Sequence, residues 1–261
     1  MSTTDSATTH VHAVHEAMLG CAREAGALML DAAGDMTITQ KGANDFFTSA
    51  DVAVQDLVIE RLSRAVPGAY FLAEEKGAKT AQMVGEGFVI DPIDGTHNFI
   101  NGLGLSAVSI AHAIDGVVQS GVVYNPFADE LYAAVRGEGA TCNGEPIHIR
   151  QIPQRNVLTL VEDKWKADKI RLRSYVGGSR NLGSAAIALC YVACGRAGAY
   201  ISPSIHAWDY AAGMVIVREA GGVVCENDGS DARLAEPNSI GACAPELREV
   251  LLAMWKDAEG R

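Results

Sequence analysis

The sequence lacks several features that would place it in a specialised class of protein. No run of about 18 apolar residues occurs in the chain of 261 residues, so no transmembrane helix is predicted. The amino-terminal segment has no basic stretch followed by an apolar run, which disfavours a secretory signal peptide. Internal repeats and low-complexity linkers are also absent. We therefore expect a globular protein of the cytoplasm that does not bind membranes.

Positive charge is scarce as well. The chain has 21 Lys and Arg residues against 32 Asp and Glu residues, which gives a formal net charge of −11. General nucleic-acid binding requires a basic surface, so this composition disfavours it. A phosphorylated substrate remains compatible with the charge, because divalent cations held in a site can reverse the local sign.

Closely spaced cysteine pairs are missing. The six cysteines are scattered along the chain, and none forms a Cys-x-x-Cys pair. We interpret them as reduced thiols in the core of a cytoplasmic protein. Cys190 and Cys194 fall on one helical face, but two thiols are poor evidence for a metal site.

What the sequence does contain is an alternation of helical and strand patterns. Apolar residues spaced by three and four predict helices at several places. These are Val11–Leu28, the segment after Asp51, Ser184–Cys194, Trp208–Ala220 and Leu247–Trp255. Short apolar runs between them predict strands, with hairpin turns at Asp115-Gly116 and Asn143-Gly144. The predicted strands are Met36–Gln40, Tyr70–Ala73, Phe88–Ile90, Val108–Ile114, Val117–Tyr124, Leu131–Val135, Ile147–Ile149, Val157–Val161, Ala199–Ser202 and Val223–Cys225. We predict a layered α+β or α/β fold, an αβαβα sandwich of two fused halves, residues 1–150 and 151–261.

Acidic residues stand where several predicted elements begin or end. Glu74 follows one predicted strand, Asp91 and Asp94 follow another, and Asp51 and Asp209 each open a helix. Ligand sites in open sheets favour the carboxyl ends of strands, which makes these acids candidates for a site. Acids at turns and helix starts also commonly act as caps, so both interpretations stay open for each of them.

The segment DPIDGTHNF, which begins at Asp91, is the most informative. Pro92 discourages helix formation, so Asp91 and Asp94 can both point out of one tight turn. Gly95 removes a side chain where a ligand would approach, and backbone N–H groups near Thr96 suit a phosphate. Two carboxylates beside an anion require cations between them, and oxygen ligands of this kind suggest magnesium.

Four segments resemble the motifs of the inositol monophosphatase family. DPIDGTHNF is similar to the family signature DPIDGT-x-NF, with His97 at its variable position. AWDYAAGMVIVREAGG, Ala207–Gly222, resembles the second signature, W-D-x-A-A-G followed by E-A-G-G. Asp45–Asp51 resembles D-x-V-T-x-x-D, and Phe71–Gly77 resembles the family's G-E-E segment. The four occur in the family's order, and the similarity extends over roughly Val11–Met254.

The resemblance implies a magnesium-dependent phosphate-monoester hydrolase, lithium-sensitive and dimeric, that binds two or three Mg²⁺ ions. By this resemblance, Glu74, Asp91 and the backbone carbonyl of Ile93 hold the first ion. Asp91, Asp94 and Asp209 hold the second. Two such ions can clamp the attacking and the leaving oxygen of the reaction.

The resemblance also implies roles in catalysis and substrate binding. Asp51 and Thr96 are expected to position and deprotonate the attacking water, and Glu74 joins them as a catalytic residue through its metal. The N–H groups of Gly95 and Thr96 are expected to hold phosphate oxygens. The residues expected to contact the substrate are Asp94, Gly95, Thr96, Ser184, Ala185, Ser202 and Asp209.

The substrate is less closely defined. Inositol 1-phosphate or a related small sugar phosphate is the first expectation. Ser202 stands where many inositol-specific members carry Glu, so a broader range that includes fructose 1,6-bisphosphate or NADP is the alternative. Some bacterial relatives also act in transcription complexes, so a role as a binding partner there remains an alternative of another class.

The roles of four histidines stay open. His10, His12 and His15 cluster near the amino terminus, where a metal site or a solvent-facing helix surface would both fit, and we expect the second. His206 lies three residues before Asp209, where it either supports the predicted site or is a packed, hydrogen-bonded histidine.

Overall fold

The computed structural model of the protein describes residues 3–42, 45–75, 83–151, 153, 156–161, 177–235 and 237–258. Its helices are α1 (Thr3–Ala32), α2 (Ser49–Ala65), α3 (Thr96–Ile100), α4 (Ala185–Ala193), α5 (Ala207–Glu219) and α6 (Arg248–Ala258), the last preceded by a 3-10 turn at Pro245–Leu247. No helix among these described residues is long and apolar enough to cross a membrane.

The strands form three sheets within the described residues. A hairpin contains β1 (Ile38–Gly42) and β2 (Asp45–Thr48). A seven-stranded sheet contains, in chain and spatial order, β3 (Tyr70–Ala73), β4 (Glu86–Asp94), β5 (Ala107–Ile114), β6 (Val117–Asn125), β7 (Glu130–Val135), β8 (Ala140–Cys142) and β9 (Glu145–Ile147). A five-stranded sheet contains β10 (Leu158–Val161), β11 (Gly178–Arg180), β12 (Ala199–Ile205), β13 (Val223–Cys225) and β14 (Asn238–Cys243), in the spatial order β11-β10-β12-β14-β13.

The helices and sheets stack in five layers, and their buried apolar residues form three cores. In β4, the side chains of Phe88 and Ile90 join a core with α1 and α2, whereas Val89 between them joins a second core with α4 and α5. This alternation follows from the two-residue period of a strand that is buried on both faces. The second core also takes Tyr200 and Ile240 from the five-stranded sheet, and a third core packs that sheet's other face against α6. The predicted αβαβα layering is confirmed.

The boundary predicted near residue 150 stays a prediction. The seven-stranded sheet lies within residues 70–147, and the five-stranded sheet within residues 158–243. The core around α4 and α5 is nevertheless shared, because Leu72 and Val89 belong to it together with Leu160.

Both predicted hairpin turns are confirmed. Asp115 and Gly116 have φ values of 49° and 74°, and Asn143 and Gly144 have values of 52° and 82°. Two successive residues with positive φ match the twist of the flanking strands, which is why Asp-Gly and Asn-Gly favour such turns.

Some strand predictions were wrong or incomplete. The strand predicted at residues 147–149 ends at Ile147, because the Ile149 N–H donates to the carbonyl of Ala220 beyond α5 instead of to a strand. β2, β8, β11 and β14 were not predicted. The six cysteines are free thiols, as expected, and four of them are buried.

Candidate metal centre and active-site cavity

A β-bulge places Asp91 and Asp94 on the same side of the seven-stranded sheet. Asp91 pairs with Ser109 and Asp94 pairs with Ala107, so two residues of β4 face the single residue Val108 of β5. In a regular strand, residues three apart point to opposite faces, and the extra residue of a bulge removes that difference. The prediction that both acids follow the strand in a tight turn was wrong, since both belong to β4.

The Asp94 carboxylate is fixed by the amino terminus of α4. It accepts hydrogen bonds from the Ala186 N–H at 2.7 Å, from the Ala185 N–H at 3.3 Å and from the hydroxyl of Ser184. These donors and the helix dipole favour a negative charge there. Burial nevertheless dominates and raises the pKa of Asp94 to about 6, with the Ser184 and backbone hydrogen bonds acting in the other direction.

Asp51 lies at the third position of α2 and is 0% exposed. Its Oδ2 accepts from both the backbone N–H and the hydroxyl of Thr48, at 2.7 and 2.6 Å. Its Oδ1 lies 3.3 Å from the Thr96 hydroxyl, which also lies 3.2 Å from the carbonyl oxygen of Ile93. Burial raises the pKa of Asp51, and the hydrogen bonds from Thr48 oppose the rise.

Asp209 occupies the corresponding position in α5. Its Oδ2 accepts from the backbone N–H of His206 at 3.2 Å. The imidazole of His206 stacks on Trp208, with ring centroids 4.6 Å apart. The carbonyl of Trp208 accepts a hydrogen bond from Ser109 of β5, which ties the start of α5 to the strand beside Asp91.

These elements bring the acids into one cluster. One carboxylate oxygen from each of Asp91, Asp94 and Asp209 lies within 4.8 Å of the other two, a spacing that could hold a metal ion. The pKa of Asp91 is raised well above its ordinary value by burial and then by the charges of Glu74, Asp94, Asp209 and Asp51. All five predicted acids therefore share one electrostatic environment.

The cavity in front of this cluster has a volume of about 990 Å³ and is negatively charged. Glu74, Asp94 and Asp209 line it, and none of its described lining residues is Lys or Arg. A phosphate ester would be repelled from such a cavity unless cations lay between it and the carboxylates.

Comparisons with known proteins agree with this arrangement. The model of the inositol monophosphatase family matches residues 10–258. The chain belongs to the inositol monophosphatase family. It is 34% identical to an inositol-1-monophosphatase of Mesorhizobium japonicum over 242 residues, which cover 87% of this chain and 89% of the relative. It is 36% identical to a Nus factor SuhB of Pasteurella multocida, over 83% of this chain and 85% of the relative.

Solved structures of the family share the fold. An inositol monophosphatase structure from Thermotoga maritima superposes with a TM-score of 0.86 at 28% identity, and the match covers 93% of this chain and 96% of that one. The family acts on small phosphorylated substrates, and the acidic cluster fits its use of metal ions.

The fold itself, and not only a bound ligand, requires a glycine at position 95, at the start of α3. Its φ is +89°, and a Cβ atom would lie 2.8 Å from the carbonyl oxygen of Leu105 and 3.0 Å from that of Gly183. The sequence predicted that a ligand's approach explains this glycine. Backbone packing is already a sufficient reason for it.

The residues predicted to contact the substrate occupy different environments. Ala185, Gly95 and Thr96 line the cavity, whereas Ser184 is 1% exposed and its hydroxyl is donated to Asp94. Ser202 belongs to the cavity wall but is 0% exposed, and its hydroxyl lies 3.3 Å from the carbonyl oxygen of Ser204.

Several lining residues were not found from the sequence. They are Phe46, His97, Asn98, Leu103, Leu105, Asn181, Leu182, Gly183, Ser204 and Ile205. Phe46, His97 and Asn98 stand inside the recognised motifs, so their motif position was an available signal. The others lie in loops or at a strand end, where no residue pattern distinguishes a cavity wall from an ordinary surface.

The three amino-terminal histidines do not all face solvent without contacts. His10 lies 2.6 Å from a Glu86 carboxylate oxygen that also lies 2.7 Å from the buried His112. His12 contacts Glu138 at 2.9 Å, and His15 is 9% exposed. The Lys76 and Gly77 positions of the fourth motif lie outside the described residues.

Proposed function

We propose that the protein is a magnesium-dependent phosphatase that hydrolyses inositol 1-phosphate or a related small sugar phosphate by attack of water. The observation that carries this proposal is the convergence of Asp91, Asp94 and Asp209 beside a cavity that Asp94 and Asp209 line and that has no Lys or Arg among its described lining residues. A family relationship to an enzyme named inositol-1-monophosphatase supports the substrate class.

The donor set fits magnesium. Carboxylate and carbonyl oxygens are the ligands that this ion prefers, and Mg²⁺ keeps several waters of its own. Buried acids whose pKa values are raised by one another's charge are relieved when a cation binds between them. We assign Glu74, Asp91 and the Ile93 carbonyl to one ion, and Asp91, Asp94 and Asp209 to a second. Bound in this way, magnesium would neutralise developing charge and lower the pKa of a water.

Asp51 and Thr96 are suited to the proton transfer. The Thr96 hydroxyl can donate to Asp51 Oδ1, which leaves the hydroxyl oxygen able to accept a hydrogen bond from a water in the cavity. The raised pKa of Asp51 makes its carboxylate a stronger proton acceptor. The Thr48 donors hold Asp51 in one orientation, so this proton path is fixed before the substrate binds.

The test is phosphate release from inositol 1-phosphate by protein that has been stripped of metal and then titrated with Mg²⁺. Wild type should regain activity with Mg²⁺, and Asp209→Asn should lose about a hundredfold in kcat/KM. Asp35→Asn, an exposed carboxylate away from the cavity, is the matched control and should behave as wild type. The proposal fails if no small phosphate ester is hydrolysed, or if Asp209→Asn matches the control.

A second candidate is a binding role, because relatives of similar identity carry the name Nus factor SuhB. Such a role would use the outer surface and not the acidic cluster. If Asp209→Asn abolishes phosphate release but leaves capture of transcription proteins from extract unchanged, the two functions are separate. If neither protein captures any transcription component, the binding role is rejected.

A further inference from the structure

The side chain of Asn98 connects two segments that lie far apart in the chain. Asn98 belongs to α3 and is only 7% exposed. Its amide nitrogen donates to the carbonyl of Leu105 at 2.8 Å, in the loop after α3, and to the carbonyl of Leu182 at 2.7 Å, in the loop before α4. An NH2 group carries two hydrogens, so this one amide satisfies both carbonyls. We call this pair of hydrogen bonds the amide bridge.

The amide bridge ends directly beside the amino terminus of α4. Gly183 packs on the bridge, because a Cβ atom at this position would lie 3.0 Å from the amide nitrogen of Asn98 and 3.1 Å from its oxygen. Ser184 follows as the N-cap of α4, and its hydroxyl donates to the carboxylate of Asp94. A single glycine therefore separates the bridged residue Leu182 from a hydrogen-bond donor to Asp94.

The two bridged segments also pack against the turn that follows Asp94. A Cβ atom at Gly95 would lie 2.8 Å from the Leu105 carbonyl oxygen and 3.0 Å from that of Gly183, so both segments touch this glycine. The hydroxyl of Ser106, next to Leu105, donates to the Gly95 carbonyl at 2.9 Å. The amide bridge thus holds the loop after α3 and the start of α4 together around the turn, in a place where its hydrogen bonds compete little with water.

Loss of the bridge would disturb the donors that orient Asp94. Without the amide, the carbonyls of Leu105 and Leu182 are left unpaired beside each other, and a buried unpaired carbonyl is costly. The loop before α4 relieves this cost by moving until water reaches its carbonyl. That movement shifts the Ser184 hydroxyl and the first N–H groups of α4, which are the donors to Asp94. A carboxylate that loses its orienting hydrogen bonds is a weaker metal ligand.

We propose that Asn98 is a positioning residue, whose amide bridge acts through α4 to hold the Asp94 carboxylate in the orientation that binds magnesium. The inference rests on the proposed function, which assigns Asp94 to a magnesium ion. It concerns the metal site and not the recognition of the substrate, because both hydrogens of the Asn98 amide are already donated to the protein. Removal of the bridge should weaken Mg²⁺ binding about tenfold, the lower end of the range for groups that orient a metal ligand.

The test measures the binding of Mg²⁺ to the metal-free protein by titration calorimetry, so that it does not depend on catalysis. Asn98→Ala removes the bridge without adding charge, and it should raise the Kd for Mg²⁺ about tenfold. Asn125→Ala is the matched control. The Asn125 amide is also buried and donates to the Gly104 carbonyl of the same loop at 3.1 Å, but its oxygen accepts from the N–H groups after Pro126 and not from the start of α4. The control should lose stability, as Asn98→Ala does, and should keep the wild-type Kd.

A double-mutant cycle separates a positioning role from a structural one. If Asn98 acts through Asp94, Asn98→Ala should cause little further loss of Mg²⁺ affinity in the Asp94→Asn background, although it should lower the Tm there as it does in wild type. Gly183→Ala perturbs the same bridge from its other side, because the new Cβ would press on the amide while Asn98 itself is kept. It should weaken Mg²⁺ binding as well, and it takes the place of Asn98→Ala if that variant does not fold.

The inference is overturned if Asn98→Ala binds Mg²⁺ as wild type does, or if Asn125→Ala loses as much affinity. Equal losses in the wild-type and Asp94→Asn backgrounds would also overturn it, because Asn98 would then act independently of Asp94. If Mg²⁺ binding follows the expected pattern but no phosphate ester is hydrolysed, the proposed function fails and the inference stands. If the ester is hydrolysed but Asn98→Ala matches its control, only the inference fails. A wild-type protein that binds no Mg²⁺ would refute both.

Discussion

Replacing Asp94 by Asn should stabilise the metal-free protein, although it removes a group assigned to metal binding. Burial raises the pKa of Asp94 from 3.8 to about 6, and each unit corresponds to about 1.36 kcal/mol. Keeping this carboxylate ionised in the folded state therefore costs at most about 3 kcal/mol at neutral pH. Asn cannot ionise, so the variant avoids that cost.

The Asn variant also loses part of the hydrogen bonding around position 94, and this loss offsets some of the gain in stability. The side-chain oxygen of Asn can still accept from the Ser184 hydroxyl and the Ala186 N–H, but its amide group then faces the Ala185 N–H. Losing that contact costs about 1 kcal/mol. The net gain in the free energy of unfolding should be about 1–2 kcal/mol, or about 2–8 °C in Tm for a protein of this size.

The pH dependence provides the sharper test. A raised pKa in the folded state means that the stability gained from protonation is fully present below pH 3.8 and is lost as the pH rises through about 6. The variant should thus exceed wild type most clearly above pH 7, and the two should converge as the pH falls toward 4. Urea unfolding in EDTA across this range measures the difference, with Asp35→Asn as a control that should follow wild type throughout.

The stability argument is refuted if the metal-free Asp94→Asn protein is less stable than wild type at pH 7.5. The assignment of Asp94 to metal binding is refuted if the kcat of the variant in Mg²⁺ stays within a few-fold of wild type, since the loss of kcat expected from removing this anionic group is about a hundredfold.

Three further predictions concern metals and specificity. Phosphate release should vanish after treatment with EDTA and dialysis, and it should return with Mg²⁺; release that persists undiminished would exclude a metal requirement. Lithium should inhibit uncompetitively, as the resemblance to the family implies, and full activity in high millimolar lithium would contradict this. Ser202→Glu should raise the kcat/KM ratio of inositol 1-phosphate to fructose 1,6-bisphosphate, because a carboxylate can accept hydrogen bonds from ring hydroxyls; an unchanged ratio would show that Ser202 does not set specificity.

The layers of the fold were predictable because each depends on local periodicity. The strand around Phe88 and the helix after Trp208 carry apolar residues at the spacing of their own element, and burial follows that spacing. β14 was missed because its sequence, Asn238–Cys243, is short and contains Gly241 in the middle of the sheet. That glycine lies where a Cβ would come within 2.6 Å of Leu251 and Trp255 of α6, a contact that no local pattern records.

The acids of the site were predictable as candidates, but their convergence was not. Motif similarity pointed to Asp91, Asp94 and Asp209, whereas the spacing of Asp91 and Asp94 alone would put them on opposite faces of a strand. The bulge that corrects this requires knowledge of the partner β5, whose residue Val108 faces two residues of β4. The apolar residues that line the cavity, such as Phe46, Leu103 and Ile205, were missed for the same reason, because they come from segments far apart in the chain.

The way in which the acids are held explains how so much negative charge is kept in one place. Asp51 and Asp209 lie at the third position of α2 and α5, and Asp94 accepts from the first two N–H groups of α4. Three helix amino termini are thus directed at the carboxylates, and their partial positive charges stabilise the acids where no described lining residue is Lys or Arg. A Lys or Arg in the cavity wall would pair with a carboxylate and occupy the oxygens that a cation needs. The backbone N–H groups that orient these acids carry no full charge and leave the cluster able to bind cations, so the burial that destabilises the metal-free site is what makes it selective for positive charge.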